Sequence, residues 1–196
     1  MKYNKNYLRK AFINKRKKIY LKIKNFNFNF NLLFFLIKKK FKKNKIVIAG
    51  YYPSNYEVDV LKFLKKAEEK NFKIALPVIK SSNKMDFKNW SYKEPLYVSK
   101  FGILEPKNSK KKIIPDLIIV PLVAFDKNLN RIGYGKGYYD RCLKKISKLK
   151  KKIISIGIAY SFQRSASIPV NKYDFKLDYI FTERGIISSK NQIWIF

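Results

Sequence analysis

The chain has 196 residues, 46% of them hydrophobic, which is enough to bury a core as one domain. A formal net charge of +32, from 45 basic and 13 acidic residues, would ordinarily suggest a polyanionic partner. The basic residues are overwhelmingly Lys and are spread along a chain equally heavy in Ile, Asn, Phe and Tyr, with only 7 Gly and 7 Pro, which fits a coding bias better than a binding tail.

The amino-terminal "MKYNKNYLRK" lacks the apolar stretch of a secretory signal, so the cytoplasm is the expected compartment. Leu8, Phe12, Ile19 and Ile23 follow a loose helical period over residues 3 to 23. Lys5, Arg9 and Arg16 then fall within about 40° on one side of that helix, a spacing that by itself describes a solvated cationic face. A second helix is expected over 29 to 42. Its apolar run "LLFFLI" is far shorter than the roughly 20 residues needed to cross a bilayer, so no membrane partner is expected.

"IVIAGYY" reads as a strand, "PSNYE" as a turn or cap, and "EVDVLKFLKKAEEK" as a helix. "FKIALPVI", "MDFKNW" and the fully apolar "DLIIVPLVAFD" are the next strands, with "KNSKKK" at 107 to 112 as a surface loop. "YYDRCLKKISKLK" has helical period, and "IISIGIAY" and "LDYIFTE" are strands. This alternation predicts one domain over residues 1 to 196, a three-layer α/β/α sandwich with a mainly parallel sheet whose strands are buried on both faces. Ligands in such folds sit beyond the carboxyl ends of the strands.

The stretch "NRIGYGKGYYDR", Asn130 to Arg141, packs three of the 7 glycines into five residues. "GYGKG" precedes a helix, so its backbone N–H groups and the positive helix end can converge on an anion, with Lys136 as a point charge. It matches neither the P-loop nor the dinucleotide fingerprint, and a tight turn between strand and helix is an equally open reading. Asp140 just after it suits either a Mg²⁺ shared with phosphate or simple compensation of the helix dipole. One cysteine, Cys142, rules out an internal disulfide and a Cys-based metal cluster. The absence of histidine rules out His-dependent triads and leaves proton transfer to carboxylates, Lys, Tyr or the substrate.

"PLVAFDKNLNRIGYGKGYYDR", Pro121 to Arg141, resembles the long central signature of the 5-formyltetrahydrofolate cyclo-ligase family, also called methenyltetrahydrofolate synthetase. "KNYLRK", "YYPSNYEVD", "LPVI" followed by "MDF", "FGILEP", "IGIAYSFQ" and "IPVNKYDFKLDYIFTE" fall in the family's order, so the resemblance covers Lys5 to about Glu183. It implies a ligase that takes ATP and Mg²⁺ and converts 5-formyltetrahydrofolate to 5,10-methenyltetrahydrofolate, ADP and phosphate. By motif, ATP would meet Lys5, Asn6, Tyr7, Leu8 and Arg9 together with Arg131, Ile132, Gly133, Tyr134, Gly135, Lys136, Gly137, Tyr138 and Tyr139. Lys5, Arg9, Arg131 and Lys136 would take phosphates, with Arg16 a weaker addition. Lys136, Arg131 and Tyr138 would be catalytic, and Asp140 and Asp174 would hold Mg²⁺. Folate would lie against Tyr51, Glu57, Tyr134, Gly135, Lys136, Gly137 and Tyr138, with weaker expectations for Tyr52, Met85 and Phe87. The resemblance assigns no role to the Phe-rich "NFNFNFNLLFF".

The resemblance implies a monomer acting on a small molecule, with no specific nucleic-acid partner. Two other readings remain open at this point: a basic nucleic-acid-binding module, and a relative that keeps the nucleotide loop but uses another substrate.

Overall fold

The computed structural model describes residues 4–22, 26–42, 45–81, 84–107, 109–150, 152–189 and 193–194. Ile23 and Asn108, which the sequence placed in a helix and a surface loop, lie outside the described residues. In chain order the elements begin α1 (Lys5–Lys22), α2 (Asn31–Lys40), β1 (Val47–Ala49), α3 (Leu61–Glu69), β2 (Lys73–Ser81), β3 (Lys84–Asn89), β4 (Tyr97–Val98) and β5 (Leu104–Glu105). They continue with β6 (Leu117–Pro121), β7 (Ala124–Phe125), β8 (Arg131–Ile132), α4 (Tyr138–Leu149), β9 (Ile154–Ile158), a 3₁₀ turn at Ser161–Gln163, β10 (Tyr179–Thr182), β11 (Gly185–Ser188) and β12 (Ile193–Trp194).

Eight strands form the main sheet in the order β12-β11-β10-β9-β6-β1-β2-β3. The five from β10 to β2 run parallel, β3 at one edge and β11 at the other run opposite to them, and β12 pairs antiparallel with β11. Alternate residues of each central strand point to opposite faces, and both faces are apolar, which is why these segments read as unbroken hydrophobic runs. Ile48, Leu76, Ile119 and Ile156 meet α2 and α3, whereas Ala49, Ala75, Ile118 and Val120 meet Cys142, Leu143 and Ile146 of α4. The expected three-layer α/β/α sandwich is the observed one. The chain moves outward from β1 in one direction and from β6 in the other, so a topological switch point lies between the carboxyl ends of β1 and β6.

The Phe-rich segment is core cover. Its alternation of Phe with Asn suits an extended stretch that sends rings inward: Phe26 lies 4.4 Å from the ring of Tyr160 and Phe28 lies 5.7 Å from that of Phe181. Phe30 and Phe34 continue the cluster onto Phe63, at 5.7 and 4.9 Å.

Two boundaries differ from the sequence reading. "DLIIVPLVAFD" is not one strand. Pro121, which has no N–H for the ladder, ends β6, and the chain then leaves the sheet into the small β7–β8 hairpin. Residues 57 to 60 precede α3 instead of starting it, because the Asp59 carboxylate accepts the Leu61 N–H at 2.8 Å and fixes the helix start there. The short strands β4, β5, β11 and β12 carried too few residues to show a period. Among the described residues no helix is long and apolar enough to cross a membrane.

Gly50 follows β1 at the switch point, and a methyl there would sit 2.5 Å from Cδ1 of the fully buried Leu64. Gly50→Ala is therefore expected to destabilise the protein by about 1–3 kcal/mol, read as a lower urea midpoint at unchanged slope. An unchanged midpoint would mean that α3 gives way freely.

Candidate active site

The glycine cluster is presented by the β7–β8 hairpin. Asp126, buried at its turn, accepts the N–H of Asn128 at 2.9 Å and of Asn130 at 3.0 Å on Oδ1. Its Oδ2 accepts the Asn130 side-chain amide at 3.0 Å and the Ile168 N–H at 3.1 Å. These bonds aim the chain after Ile132 across the carboxyl ends of the sheet. Gly135 and Gly137 then take φ of +98° and +67°, values that disfavour any side chain, and Gly137 caps α4 without a side-chain oxygen. The first turn of this twelve-residue helix is thus an N-terminus open to an anion.

α1 lies against this loop. Arg9 Nε donates to Gly133 O at 2.7 Å, and its guanidinium covers Gly135, where a Cβ would come within 3.3 Å of Cζ. Lys5 pairs with Asp174, whose Oδ2 also accepts the Asn171 N–H at 2.7 Å. Arg131 bridges to Asp140 Oδ1 at 2.9 Å and donates to Phe175 O at 2.8 Å, while the Phe175 N–H returns to the same Asp140 oxygen at 3.0 Å. Four separated segments of the sequence thereby converge on one basic mouth, with Lys136 exposed at its rim.

Beside the mouth, Asn55 and Tyr56 adopt left-handed φ of 48° and 61°, and Glu57 N–H closes that turn onto Ser54 O at 2.9 Å. The turn folds the Glu57 carboxylate inward, where it accepts the Ser54 N–H at 2.9 Å and the Ser54 hydroxyl at 3.3 Å, with the Tyr134 phenol beside it. Burial holds the Glu57 carboxyl above its ordinary range, against the pull of these donors and of Arg16. Tyr51, Tyr134 and Tyr139 have their phenols raised, first by burial and next by the Glu57 charge. Tyr51 donates to Val58 O at 2.8 Å, whereas the buried Tyr139 hydroxyl has no partner. The unpaired Tyr139 hydroxyl and the inward Glu57 carboxylate are polar groups with which a bound polar ring could pair. Burial also pushes the Cys142 thiol up to about 11, which removes it as a nucleophile.

The 5-formyltetrahydrofolate cyclo-ligase family model matches residues 1–183. The chain belongs to that family. A Haemophilus influenzae 5-formyltetrahydrofolate cyclo-ligase is 32% identical over 148 residues, spanning 72% of this chain and 76% of that one. The Escherichia coli K12 protein of the same name is 28% identical over 141 residues, 69% of this chain and 76% of its own. The solution structure of Aquifex aeolicus 5,10-methenyltetrahydrofolate synthetase superposes with a TM-score of 0.75 at 27% identity, covering 98% of this chain and 96% of that one.

Against the cyclo-ligase motifs, the structure brings Lys5, Arg9, Arg131, Asp140 and Asp174 together, and joins the glycine loop to Glu57 and Tyr51 through Tyr134. Leu8 and Ile132 pack with Val123, Ala124 and Ile168, so their side chains serve the hairpin core. Asn6 orients Arg9, Tyr7 is exposed, and Tyr138 stacks under the Arg141 guanidinium at 5.6 Å. Met85 and Phe87 are buried under α4, and Tyr52 is half-buried. The cationic side of α1 faces the protein instead of solvent, and Arg16, expected there toward phosphate, is fully enclosed.

Sequence reasoning passed over Asp126 and Gln163. The first had a signal in the turn-rich "DKNLN". The second, whose Nε2 donates to Leu122 O at 3.1 Å and Val123 O at 2.8 Å, had none. Asp140→Ala removes the partner of a buried guanidinium and is expected to cost about 1–3 kcal/mol, with faster hydrogen exchange at the Phe175 amide. Unchanged exchange at Phe175 would show that the segment is held by other contacts.

Proposed function

We propose that this protein closes the imidazoline ring of 5-formyltetrahydrofolate at the expense of ATP. The observation that carries this is Tyr134, which stands in the glycine loop, accepts Arg16 Nη2 and sets its phenol beside the Glu57 carboxylate, so that the anion-binding mouth and the polar groups around Glu57 form one site.

The triphosphate lies against the glycine-loop amides and the start of α4, flanked by Lys5, Arg9, Arg131 and Lys136. Glu57 accepts hydrogen bonds from the pterin N–H groups, with the free Tyr139 hydroxyl beside it. This brings the formyl oxygen to the γ-phosphate. The oxygen attacks phosphorus and ADP leaves; N10 then adds to the activated formyl carbon and loses its proton; finally the C–O bond breaks, releasing phosphate and leaving the methenyl bridge. The protein supplies alignment and charge neutralisation and forms no covalent bond, which a chain without histidine or a reactive thiol can do.

Among the described residues no three acidic, Cys or His side chains cluster as a metal cage. Asp140 and Asp174 nevertheless fit Mg²⁺ as this chemistry uses it, since Mg²⁺ is commonly held by one or two carboxylates plus phosphate oxygens. All described contacts of each fall on a single oxygen, Oδ1 in Asp140 and Oδ2 in Asp174. Mg²⁺ bound there would neutralise phosphate charge. We assign this activity to a cytoplasmic monomer.

Mixing the protein with 5-formyltetrahydrofolate, ATP and Mg²⁺ is expected to generate the ultraviolet absorption of the methenyl product, and omitting ATP to abolish it. Because Lys136 is exposed, Lys136→Ala is expected to leave the melting temperature unchanged and lower turnover by roughly 10²–10³. Product without ATP, or full turnover in that variant, would refute the reading.

A further inference from the structure

Arg16 is the largest fully buried side chain among the described residues, at 1% exposure. Its Nη1 donates to Leu122 O at 3.1 Å, its Nη2 donates to the Tyr134 hydroxyl, and its Nε is buried without a partner. The guanidinium carbon lies 5.7 Å from the centre of the Tyr134 ring. Phosphate recognition would need the donor fork in the mouth, and here the fork is directed inward. A purely packing role is equally ill served, because enclosing a guanidinium is unfavourable unless charge and donors are matched. Its described hydrogen bonds go to a carbonyl and a phenol, and its charge pulls down the carboxyl of Glu57, which lies beside that phenol.

We infer that Arg16 is a positioning residue: by occupying the lone pair of the Tyr134 hydroxyl from inside the protein, it forces the phenol proton onto Glu57 and keeps that carboxylate fixed as an acceptor. This rests on the proposed reading of Glu57 as the folate contact. A phenol that accepts from a cation becomes the stronger donor, so the chain Arg16, Tyr134, Glu57 is polarised in one direction. Leu122 O anchors the far end at the switch point. The groups that face Glu57 are Ser54 on its own turn, Arg16 on α1, Tyr134 on the loop, Tyr51 after β1 and Tyr139 on α4. Of these only Arg16 is cationic, so its loss raises the Glu57 pKa further. The acid limb of kcat/KM for 5-formyltetrahydrofolate then moves to higher pH.

The experiment compares Arg16→Gln and Arg16→Lys, alone and combined with Tyr134→Phe. Arg16→Gln is expected to raise KM for 5-formyltetrahydrofolate roughly ten- to hundred-fold with a smaller fall in kcat, and to shift the acid limb upward. Arg16→Lys keeps the charge and recovers most of the limb but not KM, since a point ammonium cannot serve both Leu122 O and the phenol. In the Tyr134→Phe background Arg16→Lys adds less than its effect alone. Multiplying effects, with an unmoved limb and only a lower melting temperature, would overturn the inference. A second readout needs no turnover: the Glu57 carboxyl is followed by NMR in protein carrying ¹³C-glutamate, its resonance assigned with Glu57→Gln. An upward midpoint in Arg16→Gln that Arg16→Lys largely restores supports the inference even if the wild type forms no methenyl product and the cyclo-ligase reading fails. An unmoved midpoint in both refutes it.

Discussion

Where β6 stops pairing at Pro121, the carbonyls of Leu122 and Val123 turn away from the ladder while still buried, and buried carbonyls require donors. Gln163 donates to both, and Arg16 donates to the first. Those bonds pin the 3₁₀ turn after β9 and the middle of α1 to the one point in the sheet where strand order reverses. The β7–β8 hairpin departs from the same residues, with the Val123 N–H on Ile132 O at 2.7 Å. The orientation of the glycine loop is therefore inherited from the need to satisfy the end of a strand.

The cations divide by the cost of burial. Arg16 and Arg131 are buried, and each makes bonds that a planar fork can satisfy together: a carbonyl and a phenol for one, a carboxylate and a carbonyl for the other. Most lysines sit on the solvated surface, where charge is cheap to hold and exposed pairs contribute little, while the buried Lys88 donates to Lys110 O at 2.6 Å. The +32 net charge is thus mostly a property of the surface, while the site depends on a few basic side chains placed by the fold.

The central elements were legible because long apolar runs and a strong helical period in "YYDRCLKKISKLK" leave few alternatives. So was the glycine loop, since closely spaced glycines in a lysine-rich chain mark backbone that must bend. The direction of α1 was harder to read. Spacing put Lys5, Arg9 and Arg16 on one side, but a helical period cannot say whether that side meets water or protein. The Asp59 turn bond to Leu61 N–H and the left-handed Asn55–Tyr56 pair, which together put Glu57 into a turn ahead of α3, compete with a continuous helical pattern that favours the wrong boundary.

The sequence by itself determined the layered α/β architecture, the glycine loop ahead of α4 and the family signature, because these depend on local periodicity, glycine and the order of motifs. Only the tertiary structure decided that Arg16 is buried, that Tyr134 couples the loop to Glu57, and that Gln163 and Asp126 hold the scaffold. Each of those roles is a hydrogen bond between residues distant along the chain, and its partner is chosen by which strand ends the sheet topology places side by side.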